Sequence, residues 1–453
     1  MTDTTVSTLP VFDQATEAGR AGFAARLQQL RETAVLTGEH ASTTAALVED
    51  VAKRGDAAVV EAMQRFTDAS FTADRICVTA QQIEQAAKHV RDTQPRLIDA
   101  LKRAIDHIEQ YQRHILPEAP PPMTLDGAEL GLRYRAVDSA GLCVPGGSAV
   151  LFSTLLMLAV PAKVAGVPRD RISVIHPPPT RSAHESQGGD ISPIVLAACQ
   201  LLGIERVYRI GGAQGVAALA YGTESVAPVN LVAGPGNVFV QLAKAQVSGV
   251  IGTDNGFYGP SEIVTLADDK ANVKRVASDL IAQAEHDPGK CFLICWQRSV
   301  LEAIVAEIER QVAERGRQQA IVAALRDESA AVLARDYNEA LSLVNDLAAE
   351  HVSLAVADPQ HALDRLHHAG EVFLGDAAPV ATGDYYAGPS HCLPTGTTAR
   401  FTSGISVHTF LKRTGTVAYP NGVPAQAIED ISLLAEAEGL DAHAASVRQR
   451  REP

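Results

Sequence analysis

From about residue 140 the chain alternates short β-rich runs with Ala-rich helical stretches, and this alternation restricts the possible folds more than any other feature. The run 140–144 leads into PGG at 145–147 and an apolar helix. The run 172–175 ends in His176 and three prolines. Pro193 stands just ahead of the helical stretch 194–202, where proline is tolerated. The run 206–210 meets Gly211, Gly212 and the helical 214–221, and Leu231–Val232 runs into GPGN at 234–237 and a further helix. A second set follows: strands at 262–267, 291–295, 351–356 and 371–374, separated by helices at 272–286, 300–315, 336–348 and 359–368. Strands joined through helices must run parallel, with helices on both faces of the sheet. The expected class is therefore α/β, with two tandem doubly wound, incomplete Rossmann-like domains.

Ahead of this region, 14–115 reads as largely helical, with apolar residues at helical spacing in 41–54, 81–90 and 95–114. A Pro-rich break at 117–122 and an alternating stretch at 131–137 follow. After Gly375 the chain is Gly-, Pro- and Thr-rich through Ser403, and then helical at 425–438 and 442–451. The expected division is an N-terminal helical arm (1–28), a first α/β domain (29–140 plus 259–400), a second on the nucleotide side (141–258) and a C-terminal helical arm (401–453). The polar stretch 180–190 reads as an exposed loop.

With 453 residues and a net charge of −14, neither nucleic acid nor an anionic membrane is expected as the main partner. The longest apolar stretch, 150–160, is bounded by Pro161 and Lys163 and is too short to cross a bilayer. The 6 cysteines form no CxxC pair, and the N-terminus has no basic region followed by an apolar one. A reduced, cytoplasmic protein is the expectation.

Three Gly-rich turns follow expected strands: PGG, GGAQ at 211–214 and GPGN. Glycine at a strand–helix turn lets backbone approach a ligand and turns helix N–H groups toward phosphate. None is a GxGxxG fingerprint, and one alone reads as a tight turn. Three in one doubly wound unit can line one crevice, with Gln214 and Asn237 as polar edges for a nucleotide.

Other candidates are dispersed. Gln283 and His286 sit at i and i+3 near a helix end and share a face, although a lone His there also serves as a C-cap. Asp384 and His391 lie in one Gly-rich loop. Glu438 and His443 lie on the C-terminal arm, where a His would ordinarily be solvated. Glu350 and His351 are adjacent at a helix-to-strand junction and offer two bases of different strength. Against this pair, ligands of doubly wound sheets favour strand C-terminal ends, and these residues precede their strand.

The stretches GLCVPGGSAVLFSTLLMLAVPA, IGGAQGVAALAYGT, VAGPGNVFV, YGPSEIVTLAD, QAEHDPG, AAEHVSL, GDYYAGPSHCLPT and LAEAEGLDAH together resemble the histidinol dehydrogenase family, in the family's order across 141–443. The resemblance implies NAD-dependent oxidation of L-histidinol through L-histidinal to L-histidine. It implies one zinc per subunit on Gln283, His286, Asp384 and His443, with Glu350 and His351 as acid–base residues. It implies substrate contacts from Ser261, Gln283, His286, His351, Asp384, His391, Glu438 and His443, and NAD contacts from Cys143, Gln214 and Asn237. It also implies a homodimer whose C-terminal arms are exchanged, bringing Glu438 and His443 to the partner's site. Three departures stand out: Cys143 where the family usually has Tyr, Ala349 where Pro usually precedes the Glu–His pair, and the extra loop at 180–190. Two alternatives are a zinc and NAD dehydrogenase of another hydroxylated substrate such as a sulfonated diol, against which Glu438 argues, and a non-catalytic zinc- or nucleotide-binding protein, against which Glu350–His351 argues.

Overall fold

The computed structural model describes residues 9–146, 150–178, 190–286 and 289–450, so Gly147 and nearly all of the 180–190 loop fall outside the described residues. The strands are β1 (Val11–Asp13), β2 (Met123–Leu125), β3 (Ala128–Ala136), β4 (Ala140–Cys143), β5 (Ile172–Ile175), β6 (Arg206–Tyr208), β7 (Leu231–Ala233), β8 (Gly252–Thr253), β9 (Glu262–Ala267), β10 (Lys290–Cys295), β11 (Ala330–Leu333), β12 (His351–Ala355), β13 (Glu371–Leu374) and β14 (Leu411–Ala418).

They form a six-stranded sheet in the order β1-β11-β10-β9-β12-β13 and a five-stranded sheet in the order β6-β5-β4-β7-β8. Every neighbouring pair in both is parallel. In the five-stranded sheet the winding runs outward from β4 through β5 to β6, then restarts on the other side with β7. The six-stranded sheet does the same from β9, with the reversal between β9 and β12. This is the expected doubly wound architecture. A third, antiparallel sheet, β14-β3-β2, joins the alternating stretch near 131 to the segment after the C-terminal loop.

Burial on both faces explains why the parallel strands read as continuous apolar runs: every residue of β9 and β10 is buried. Besides β11, which the expected strands lack, and β14, which lies in the stretch expected to be a C-terminal helical arm, tertiary structure departs from the sequence reading in two places. First, β1 lies in the stretch expected to be wholly a helical arm and edges the large sheet beside β11. Three residues are too few for a periodic signal. Second, the helices Glu39–Arg54, Asp56–Phe66, Ala80–Thr93 and Pro95–His114, expected to share a domain with 259–400, pack instead on the five-stranded unit. Val48 and Met63 share a core with Ile175 and Val232, and Ile83, Leu101 and Ile108 share one with Leu142 and Val174. An apolar helix face demands a partner but does not name it.

The helix Phe152–Ala165 is buried throughout Ser153–Ala162 and continues past Pro161 to a left-handed Gly166. Enclosure on all sides outweighs the hydrogen bond that proline removes. The C-terminal helices Ala425–Ala437 and Asp441–Arg448 instead leave an apolar face uncovered, with Leu433 65% and Leu434 69% exposed. Among the described residues, no helix is long and apolar enough to cross a membrane.

Candidate active site

The winding reversal of the six-stranded sheet makes β9 and β12 neighbours, with His351 in register with Ile263. Ser261 and Glu262 at the start of β9 therefore lie beside Glu350 and His351 at the start of β12. Glu350 Oε2 accepts from Ser261 Oγ at 2.5 Å and from the Glu262 N–H at 2.8 Å. Gln283, buried near the end of the helix Val273–Ala284, donates Nε2–H to Ser261 Oγ at 2.5 Å. One hydrogen-bonded chain thus runs from Gln283 through Ser261 to Glu350.

His351 is 1% exposed, and its Nδ1 lies 3.1 Å from the Glu262 carbonyl oxygen and 3.4 Å from Glu350 Oε2. A carbonyl only accepts, so Nδ1 carries hydrogen and the neutral ring presents a bare lone pair at Nε2. That Nε2 is buried and has no hydrogen-bond partner. Burial by itself drives the proton off the imidazole. The adjoining Glu350 carboxylate more than reverses this, with help from Asp384 and Glu371, and lifts His351 to about 9.

Asp384 lies on the short helix Ala381–Tyr385. The loop after it returns so that His391 Nδ1–H donates to the Asp384 carbonyl at 2.9 Å. His391 Nε2 meets Thr154 Oγ1 of the buried helix at 3.1 Å, which ties the loop to the five-stranded unit. Burial lowers the His391 pKa. A mostly apolar slot of about 180 Å³ beside Asp384 is lined by Leu101, Phe152, Leu156, Met157 and Tyr385 among others. A larger hollow of about 700 Å³ between Tyr134–Asp138, Arg171 and Lys412 contains none of these residues.

His286 follows the helix end and is exposed, as are Glu438 and His443 on the C-terminal arm. One copy of the chain brings no three His, Cys, Asp or Glu side chains to a common point among the described residues. Ser261, Gln283, Glu350, His351, Asp384 and His391 thus gather in one region, while His286 faces solvent beside it and Glu438 and His443 stand apart.

At the other reversal, between β4 and β7, the GPGN turn leaves the end of β7. Gly234 has φ +119°, and a Cβ there would sit 2.5 Å from the Cys143 oxygen. Its N–H donates to Asp254 Oδ2 at 2.7 Å, and its carbonyl accepts from Lys244 Nζ at 3.0 Å. Lys244 and Asp254 form a fully buried ion pair at 2.6 Å that clamps the turn from beneath. Asn237 caps the helix Val238–Val247, its Oδ1 accepting from the Val240 N–H at 3.2 Å. Gln214 is buried, with Nε2 against Met63 Sδ at 3.3 Å. Cys143 ends β4 inside the core, and burial pushes its thiol up to about 12. The Gly236 N–H donates to the Tyr258 carbonyl at 3.3 Å just ahead of Ser261, which joins this turn to the entrance of β9. The glutamate–histidine cluster therefore sits at strand N-terminal ends, while the glycine turn at the other sheet's C-terminal edge bonds to Tyr258, three residues ahead of Ser261.

Three participants escaped sequence reasoning: Glu262, whose backbone pins both Glu350 and His351; Thr154, the partner of His391; and Glu371, in register with His351 on β13. Burial pushes the Glu262 carboxyl up to about 8 and that of Glu371 up to about 7. A carboxylate opening or closing an otherwise apolar strand was the available signal for the two glutamates; Thr154 gave none.

The sequence profile of histidinol dehydrogenase matches residues 31–451. The chain is 42% identical over 430 residues to the histidinol dehydrogenase of Bradyrhizobium diazoefficiens, covering 94% of this chain and 96% of that one. It is 41% identical over 407 residues to that of a Synechococcus strain, covering 90% and 91%. The crystal structure of histidinol dehydrogenase from Elizabethkingia anophelis superposes with a TM-score of 0.85 at 29% identity, over 98% of each chain. The chain belongs to the histidinol dehydrogenase family.

Proposed function

We propose that this protein is an NAD-linked dehydrogenase that oxidises L-histidinol through L-histidinal to L-histidine. The observation that carries the reading is the buried, unpartnered Nε2 of His351, whose opposite nitrogen, Nδ1, donates to the Glu262 carbonyl and is flanked by Glu350. A base whose acceptor atom is enclosed, oriented and free is what removal of an alcohol proton requires.

The acid–base pair is Glu350 and His351. Zinc, one per subunit, would be held by Gln283, His286, Asp384 and, from a second copy, His443. Those donors form the mixed nitrogen and oxygen set that zinc accepts. Among the described residues one copy brings no three His, Cys, Asp or Glu ligands together, and in this reading the fourth ligand arrives on an exchanged arm. The uncovered leucines of that arm favour the same homodimer. Ser261, His391 and Glu438 would add substrate contacts, and Cys143, Gln214 and Asn237 would border NAD. When bound, NAD would supply a hydride acceptor and zinc a Lewis acid that anchors the substrate.

The carbinol carbon gives up hydride while His351 Nε2 takes the hydroxyl proton. A zinc ion held by Gln283, His286 and Asp384 would oppose the negative field of the carboxylates that raises His351. Glu350 assists addition of water to the aldehyde, and a second hydride transfer yields the carboxylate. The protein acts in the cytoplasm.

The test is NADH formation from L-histidinol, with and without a chelator. Two NADH per histidinol, lost on chelation and regained with zinc, is the expected result. Failure to form NADH removes the reading.

A further inference from the structure

Glu371 opens β13 in register with His351, and neighbours in register on parallel strands present their side chains to the same face of the sheet. Its Oε2 is buried and has no hydrogen-bond partner, like Nε2 of His351. The carboxylate lies against Gly383: a Cβ there would stand 2.6 Å from Oε2, so the missing side chain next to Asp384 makes its room. The charges that reach it are those of His351, Asp384 and Glu350. Two buried polar atoms without partners thus stand on adjacent strands, both within reach of the Asp384 charge. Buried polar atoms are almost always paired in folded proteins, and a pair of orphans on one face is accounted for by a ligand that supplies hydrogen.

We propose that Glu371 is a substrate-binding residue of this site, its carboxylate accepting a hydrogen bond from a nitrogen-borne hydrogen of the substrate, on the amino group or the imidazole ring. The assignment rests on the reading of the site as one for an amino alcohol and adds to it a determinant of selectivity. His351 receives the hydroxyl proton, and Glu371 holds the nitrogen end, so the two neighbouring strands fix both ends of the reacting fragment.

The experiment compares wild type, Glu371→Gln and Glu371→Asp with two alcohols. These are L-histidinol and 3-(imidazol-4-yl)propan-1-ol, which keeps the ring and lacks the amine. Bound zinc is measured in each protein. Glutamine preserves shape and removes the charge, so KM for L-histidinol is expected to rise about tenfold while kcat stays within about threefold and zinc content is unchanged. Glu371→Asp, with the charge drawn back by one methylene, falls between. A penalty that disappears with the amine-free alcohol identifies the amine as the donor; an equal penalty on both alcohols identifies the ring. Unchanged KM overturns the assignment. So does loss of zinc, which would make Glu371 part of the metal's support, and so does a fall in kcat at constant KM, which would place its action on His351. Absence of wild-type turnover overturns the reading of the site and this assignment together, whereas wild-type turnover with an indifferent Glu371→Gln overturns the assignment alone.

Discussion

As the proposed base, His351 carries two demands that conflict unless its surroundings resolve them. It must be buried, so that its lone pair meets substrate and not water, and it must hold a proton well enough to remove one from an alcohol. Burial opposes the second demand, and the Glu350 carboxylate restores it. The Glu262 carbonyl fixes which nitrogen is free. His351→Asn keeps the hydrogen bond to that carbonyl and removes the acceptor. It is expected to lower kcat about 10²- to 10⁴-fold while zinc remains bound; turnover close to wild type would take the base role away from this residue. The pair Glu350–His351 is legible in the sequence because two titratable neighbours stand at the head of an apolar run. Glu262 and Glu371 also head apolar strands, but their relation to His351 is one of strand register, which sequence spacing does not encode.

At the scale of elements, the GPGN turn shows how a glycine signal acquires its support. The turn itself is legible as punctuation after β7. What holds it is the Lys244–Asp254 pair, drawn from the following helix and the segment beyond β8 and closed over by Tyr258, whose ring lies 4.9 Å from Lys244 Nζ. Lys244→Met leaves Asp254 buried without its counter-ion, which costs about 3–5 kcal/mol. The expected outcome is a lower Tm together with a raised KM for NAD and a smaller change for L-histidinol. A variant as stable as wild type, with unaltered NAD affinity, would show that the pair does not shape the turn. Because the pair is broken on one side only, Lys244→Met with Asp254→Leu is expected to recover part of the stability.

For the whole molecule, the decisive feature is that Glu438 and His443 stand exposed on an arm whose leucines are also uncovered. If arms exchange, the inactive variants His443→Ala and His351→Asn complement each other, since one of the two sites in a mixed dimer receives an intact body and an intact arm. Co-expression of the two is expected to restore roughly a quarter of wild-type activity, from random pairing in a twofold dimer. No recovery in demonstrated mixed dimers would return each arm to its own subunit.

Local chemistry was enough to specify most of the alternating strand and helix segments and the glycine turns, since periodicity and turn propensity are properties of short segments. Which sheet the helices of residues 39–114 cover, that β1 edges the larger sheet, and that Ser261, Glu350 and His351 meet at strand beginnings were settled only by packing. Each depends on contacts between residues far apart in the chain, where buried apolar area and strand register choose among partners that local sequence leaves equivalent.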